Sequence, residues 1–424
     1  MNPGIQLHWT LSRGVLAESS EPQLVYVLVE AIAQGLPTSL PKLPLNLCLV
    51  VDRSSSMRGE RLTHVKEAAQ RIVDQMGPED HFSLVTFNDR ADVVVSGQRV
   101  RNKAELKRMI GNVEAAGGTE MATGMALAIQ EIQRAMLARG VSRIMLLTDG
   151  RTYGDEGRCV EIARRAQGRG IGLTALGIGN EWNEDLLETM AARENSRTHY
   201  ITSAQEIAQI FADEIKRMHS IFAQGVQLGI EVRPGALLRS LDQVRPFIAP
   251  VQIVEERELC WTGGLGDWPD NDAQAFLLEV VVPPMNAGEH PLLRLTLNYS
   301  LPGANLLQQT SNAVLRIAVR TDATFAHEVN ATVKHWLERL VAYRLQASAW
   351  QDVDAGRIEE ATRRLQMAGT RLFEAGEVDL AHTVQEEATR LLRSGSTSAE
   401  GRKRIKYGTR GLMGRGSISQ EREA

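Results

Sequence analysis

The stretch LCLVVDRSSSMRGERL, residues 47–62, changes character halfway along. Leu47, Cys48, Leu49, Val50 and Val51 form an apolar run of the length a buried strand uses. Asp52 ends the run, Ser54, Ser55 and Ser56 follow, and a helical pattern starts from about Arg58. The carboxyl ends of strands in an open α/β sheet line a crevice. A carboxylate and a cluster of hydroxyls at such an exit therefore point to a ligand.

Around this stretch, strand and helix patterns alternate over residues 45–220. Strands are expected at 46–51, 82–87, 93–96, 143–147, 172–178 and 199–201, with helices at 60–76, 102–112, 121–138, 157–168, 183–193 and 204–219. This alternation predicts a doubly wound, mostly parallel sheet covered on both faces. Before it, residues 5–35 read as two strands, the first holding Trp9, Leu11, Val15 and Leu16 and the second running from Leu24 to Val29. A proline-bearing joint at 35–44 follows. After it, residues 221–322 lose helical periodicity and read as an antiparallel sandwich of short β runs. The strands of 1–44 have no partner of their own, so they are expected to pair with this sandwich, making the α/β region an insertion in it.

Residues 323–394 are helical again. Ala355-Gly-Arg-Ile-Glu-Glu-Ala361 resembles Ala375-Gly-Glu-Val-Asp-Leu-Ala381, which suggests stacked helical hairpins. The remainder, 395–424, is Ser/Gly-rich and then basic (Arg402, Lys403, Arg404, Lys406, Arg410, Arg415), the composition of a flexible tail.

Two further segments bear on the opening motif. Gly117-Gly118-Thr119 precedes a helix, and Leu146-Leu147-Thr148-Asp149-Gly150 ends another apolar strand with a carboxylate. If the sheet forms as read, both reach the same edge as Asp52, Ser54 and Ser56. That gathers two carboxylates and at least three hydroxyls without nitrogen or sulfur, a donor set suited to Mg²⁺, Mn²⁺ or Ca²⁺. A helix N-terminus nearby disfavours a cation, and Asp52 and Asp149 must offset it. Neutral hydroxyl ligands leave the ion under-neutralised, so the site would seek an anionic sixth ligand, ideally a carboxylate from another chain.

Asp52-x-Ser54-x-Ser56, Thr119 in Gly-Gly-Thr and Asp149 in Thr-Asp-Gly together resemble the metal-ion-dependent adhesion site of von Willebrand factor type A domains. Gly177-Ile-Gly-Asn180 and the helix after it are similar to the corresponding segment of bacterial members, and the whole layout resembles bacterial stand-alone proteins of the family. The resemblance implies a doubly wound domain, a Mg²⁺ site and protein recognition through that ion. It also implies that Ser54, Ser56 and Thr119 contact the metal directly, while Asp52 and Asp149 act mostly through waters.

Other function classes are less well served. The chain of 424 residues is long enough for two or three domains, and its net charge of −4 argues against a nucleic-acid binder. Three distant cysteines, Cys48, Cys159 and Cys260, fit a reducing compartment and form no zinc spacing. The opening MNPGIQLHWTLSRG lacks the pattern of a signal peptide, and no apolar run approaches the roughly 20 residues of a membrane span, so a cytoplasmic location is expected. Gly177-x-Gly179 lacks the third glycine of a dinucleotide loop, and neither a phosphate-binding Gly-x-x-x-x-Gly-Lys-Ser/Thr loop nor a Gly-x-Ser-x-Gly nucleophile is present. His64 reads as a surface residue of a helix, and Trp336 and Trp350 as helix core. The expected role is a non-enzymatic module that captures an acidic residue of a partner protein. Its rivals are an accessory subunit of an AAA+ motor of the MoxR or chelatase kind, and a metal-dependent hydrolase, for which a second catalytic group is lacking.

Overall fold

The computed structural model describes residues 3–35, 42–135, 137, 140–152, 154–191, 196–270, 273–322 and 329–411. Most of the joint expected at 35–44 lies outside these residues, as do the last positions of two expected helices and the segment 412–424. The chain divides into two compact units: one takes the N-terminal strands and the chain from Phe222 to Gly411, the other the stretch between the N-terminal strands and Phe222.

The N-terminal strands are β1 (Gly4–Leu11), β2 (Val15–Ala17) and β3 (Gln23–Gln34). Sequence reading joined β1 and β2 into one strand; they are separate and enter different sheets. The break falls at Ser12, whose hydroxyl accepts a hydrogen bond from Tyr26 N at 3.0 Å and whose backbone N donates to Tyr26 O at 2.8 Å.

The α/β unit follows in the order β4 (Leu45–Asp52), α1 (Glu60–Gln75), β5 (His81–Phe87), β6 (Ala91–Arg99), α2 (Lys103–Gly111), α3 (Met121–Arg134), β7 (Val141–Thr148), α4 (Glu156–Gln167), β8 (Gly172–Ile178), α5 (Glu184–Met190), β9 (Arg197–Ile201) and α6 (Ile207–His219). Its sheet runs β6-β5-β4-β7-β8-β9, parallel throughout except for β6 at the edge. All eight residues of β4 are buried, as a central strand covered on both faces requires. β4 lies between β5 and β7, so the chain order reverses beside it. Its C-terminal end is therefore a switch point of the sheet, where crevices open.

In the other unit, β10 (Ile221–Val232), β11 (Leu237–Arg245), β12 (Ala249–Pro250), β13 (Ile253–Arg257), β14 (Cys260–Pro269), β15 (Gln274–Val282), β16 (Gly288–Leu301) and β17 (Leu306–Arg320) join the N-terminal strands in two sheets. Their orders are β1-β3-β15-β11-β12 and β13-β14-β10-β16-β17-β2. β1–β3, β3–β15, β15–β11, β11–β12, β13–β14, β10–β16 and β16–β17 pair antiparallel, and β17 pairs with β2 in parallel. Val25, Val27 and Val29 of β3 and Phe276, Leu278 and Val280 of β15 belong to the core between the sheets. Alternate residues Leu28, Ala275 and Leu277 are buried on the other face, against Val333 and Leu340. Burial on both faces explains why β3 reads as a continuous apolar run.

Val333 and Leu340 belong to α7 (Ala331–Asp354), which leads to α8 (Ile358–Glu374), α9 (Val378–Ser394) and α10 (Ala399–Arg410). α7 is shared by two cores: further along, Ala342, Ala349 and Trp350 pack with Ala361, Leu365, Val384, Leu391 and Ile405 of the following helices. Arg344 fastens α7 to the sheet, bonding Asp242 at 2.6 Å, Ser240 at 2.8 Å and Glu279 at 3.1 Å. Residues 399–410 correct the expectation of a flexible tail from 395. They form a helix whose Lys403, Ile405 and Tyr407 are buried. A Cβ on Gly401 would lie 2.4 Å from Glu387 and one on Gly408 2.7 Å from Leu380, so the two glycines let α10 approach α9 closely. Among the described residues no helix is long and apolar enough to cross a membrane.

Candidate metal centre

Three loops at the C-terminal edge of the α/β sheet carry the residues singled out above. The first leaves β4 at Asp52 and makes a short 3-10 turn, Ser55–Met57, before α1. The second precedes α3 and carries Gly117, Gly118 and Thr119. The third leaves β7 at Thr148. Backbone bonds tie the first two loops together: Ser55 N donates to Gly117 O at 3.0 Å and Ala116 N to Arg53 O at 2.8 Å. The β5–β6 turn braces the second loop, with Asn88 Nδ2 donating to Ala116 O at 2.7 Å and Gly118 N donating to Asp89 Oδ1 at 2.9 Å. Gly117 has φ +80°, and a Cβ there would lie 2.3 Å from Asp89 Oδ2, so only glycine fits this turn.

These loops bring the five side chains together. Asp52 accepts from Ser54 N at 2.8 Å and from Thr148 Oγ1 at 2.7 Å. The Ser54 and Ser56 hydroxyls are 3.0 Å apart, and Ser56 Oγ donates to Asp149 Oδ1 at 2.7 Å. A Cβ built on Gly150 would lie 3.6 Å from Thr119 Oγ1 and 3.9 Å from Ser56 Oγ, so both hydroxyls are close to one point in front of the Gly150 backbone. Asp52 and Asp149 are buried, at 0% and 1% exposure. Burial pushes the Asp52 carboxyl above the ordinary aspartate range, and the nearby Asp149 adds to the rise against the hydrogen bonds from Ser54 and Thr148. Unless a cation offsets it, the Asp52 carboxylate is costly to keep ionised.

The donor set fits a hard divalent ion. It holds oxygen alone, and among the described residues no cluster of three or more His, Cys, Asp or Glu competes with it as a cation site. Adjacent ligands of an octahedral Mg²⁺ lie about 2.9 Å apart, given Mg–O bonds of about 2.0–2.1 Å. The Ser54–Ser56 oxygen spacing of 3.0 Å matches that edge.

Sequence reasoning did not identify four other contributors. Thr148 holds Asp52. Arg61, in the first turn of α1, donates through Nη1 to Asp149 Oδ2 at 2.5 Å. Thr152 and Asp155 pin the start of α3, Thr152 through Met121 N at 3.3 Å and Asp155 through Ala122 N at 2.7 Å. Thr148 was visible in the quoted Thr-Asp-Gly. Arg61 gave no signal, since a charged residue in a first helical turn reads as solvated. His64 Nδ1 is 2.8 Å from Glu60 O on the same helix.

Comparison with known proteins bears on the same regions. The profile of the von Willebrand factor type A domain matches residues 46–213, and that of the Sll0103-like C-terminal alpha-helical domain matches residues 331–415. The protein sll0103 of Synechocystis is 30% identical over 364 residues, which cover 85% of this chain and 86% of that protein. A solved von Willebrand factor type A protein from Catenulispora acidiphila has a similar fold, with a TM-score of 0.77 at 19% identity over 96% of both chains. The ArnB paralog VWA2 of Sulfolobus acidocaldarius follows at 0.58 and 16%, covering 96% of this chain and 99% of that one. The sandwich that neither profile matches is thus part of a layout these two structures share along almost their whole length. The chain belongs to the von Willebrand factor type A family, in the Sll0103-like group that couples this domain to a C-terminal α-helical domain.

Proposed function

We propose that this protein is a metal-dependent protein-interaction module, not an enzyme. Ser54, Ser56 and Thr119 would hold Mg²⁺ directly, with Asp52 and Asp149 supporting it through waters. The bound ion would supply a Lewis-acidic coordination position for a carboxylate of a partner protein. The observation that carries this reading is the convergence of three hydroxyls and two buried carboxylates from three separate loops on one edge of the sheet. Two buried carboxylates beside only neutral hydroxyls favour a cation. A cation with mostly neutral ligands favours an external anion. Metal and partner binding are then coupled, each strengthening the other. Among the described residues no histidine is hydrogen-bonded to the cluster as a general base, which favours this reading over a hydrolase.

The test has two parts. Calorimetric titration with Mg²⁺ or Mn²⁺ should show one site in the parent chain and none in Thr119→Ala. Partner capture from native extract should occur in Mg²⁺, vanish in EDTA and vanish in Thr119→Ala, with the circular dichroism spectrum unchanged. Capture that survives both EDTA and Thr119→Ala would sink the proposal.

A further inference from the structure

Every carboxylate oxygen of the cluster is engaged by the chain itself. Asp52 Oδ1 accepts from Ser54 N, Asp52 Oδ2 from Thr148 Oγ1, Asp149 Oδ1 from Ser56 Oγ and Asp149 Oδ2 from Arg61 Nη1. Of these four donors, only Arg61 carries charge. Its position is set by α1, which begins at Glu60 behind the N-cap Gly59 and places Arg61 one residue into the helix. The Arg61 side chain is 41% exposed, whereas that of Asp149 is 0%. Its Nη2 lies 3.6 Å from where a Cβ on Gly179 would be, so the guanidinium spans from the β7 exit to the β8 exit.

We propose that Arg61 is a tethered competitor cation: it neutralises Asp149 in the metal-free chain, lowers the affinity for the divalent ion, and is released from Asp149 when the ion enters. This rests on the metal-binding reading above. A guanidinium does not give up its proton at physiological pH, so it can relieve repulsion from an incoming dication only by moving. Its exposure leaves solvent for it to move into. The coupling is reciprocal: whatever hold Arg61 has on Asp149 is subtracted from metal binding, and metal binding weakens that hold equally.

The experiment titrates the full chain with Mn²⁺ alone, by calorimetry and by loss of the free-ion electron paramagnetic resonance signal. Parent, Arg61→Gln, Arg61→Lys and Ser56→Ala are compared at low and high salt. Arg61→Gln should bind about tenfold more tightly than the parent, in the usual range of coupling between sites. Arg61→Lys, which keeps the charge without the guanidinium fork, should fall between them. The gap should narrow in high salt, because the pair is partly exposed. Thermal melting in EDTA should give Arg61→Gln a midpoint no higher than the parent's, and Mn²⁺ should raise it more.

Equal or weaker binding by Arg61→Gln, with Ser56→Ala binding lost, overturns the competitor role and leaves the metal reading standing. No binding by any chain overturns both. If Arg61→Gln fails to fold, Arg61→Lys decides: affinity above the parent supports the proposal, and affinity at or below it overturns the proposal.

Discussion

Asp52 is fully buried, and desolvation and Asp149 both oppose its charge, so without a bound cation its carboxylate should cost the protein stability. The sign follows from its raised pKa. A carboxyl pushed above its unfolded value destabilises the fold at neutral pH, and the cost shrinks as pH falls below the folded value and is gone below the unfolded one. Asparagine has nearly the same size and still offers an oxygen to Ser54 N, while Thr148 Oγ1 can also turn its lone pairs to an amide. Asp52→Asn should therefore melt a few degrees above the parent in EDTA, about 1 kcal/mol for a unit of this size. On the proposed function the order should reverse in Mg²⁺, because Asp52→Asn would remove a carboxylate that supports the ion. Melting curves with and without metal check this. A lower midpoint for Asp52→Asn in EDTA would show that the carboxylate is stabilising by itself. This is the trade between stability and function common at binding sites.

At the scale of elements, what was legible is what leaves a local trace. β4 reads as a strand because all its residues are buried, and its exit reads as a site because oxygen groups follow an apolar run at once. α10 left no such trace. Its packing depends on Gly401 and Gly408 against Glu387 and Leu380, and glycine in a basic, serine-rich stretch reads as a linker. The β1–β2 break likewise depends on Ser12 meeting Tyr26, 14 positions away. Arg61 meets Asp149 88 positions away, and no pattern in the sequence pairs them. α6 shows how a distant acid fastens an element. Its Glu214 is 3.2 Å from Thr174 Oγ1 on β8 and 3.2 Å from His199 Nε2 on β9, with Arg217 Nε at 3.5 Å. Burial would raise this carboxyl, but Arg217 and His199 outweigh it and hold the group well below the usual glutamate range. Asp80 anchors the C-terminal end of α6, bonding His219 Nε2 at 3.1 Å and Leu45 N at 2.8 Å. A depressed pKa gives stability that is present above the unfolded value and lost as pH falls toward the folded one. Glu214→Gln should cost about 3 kcal/mol at pH 7, because it leaves the Arg217 guanidinium without its buried carboxylate partner. The difference from the parent should shrink below about pH 4, where the unfolded glutamate protonates. Urea midpoints measured from pH 7 to pH 3 check the sign; a gap constant with pH would mean that packing, not charge, sets the cost.

For the whole molecule, the two units have separate cores with no residue in common. The sandwich, however, is made from chain on both sides of the α/β unit. β3 is hydrogen-bonded to β1 on one side and to β15 on the other, over nine paired residues with β15 from Gln23 to Ala31. Its Val25, Val27 and Val29 fill the core between the sheets, and its Leu28 lies under α7. Each of these side chains contributes about 1.5–3 kcal/mol by burial. Losing the four together approaches the whole stability of an ordinary domain, about 5–15 kcal/mol. Cutting at one junction should therefore differ sharply from cutting at both. A chain with residues 42–220 replaced by a short Gly/Ser linker should keep the sandwich and helices, and 42–221 alone should fold as an α/β domain. A chain that begins at residue 42 should retain the α/β unit but leave β15 as a bare edge beside an opened core. Its sandwich and helices should exchange amide hydrogens rapidly and be cleaved early in limited proteolysis, while residues 42–221 stay protected. Protection of β15, β16 and β17 in that truncated chain, at parent levels, would show that the N-terminal strands are an addition to the sandwich and not part of its core.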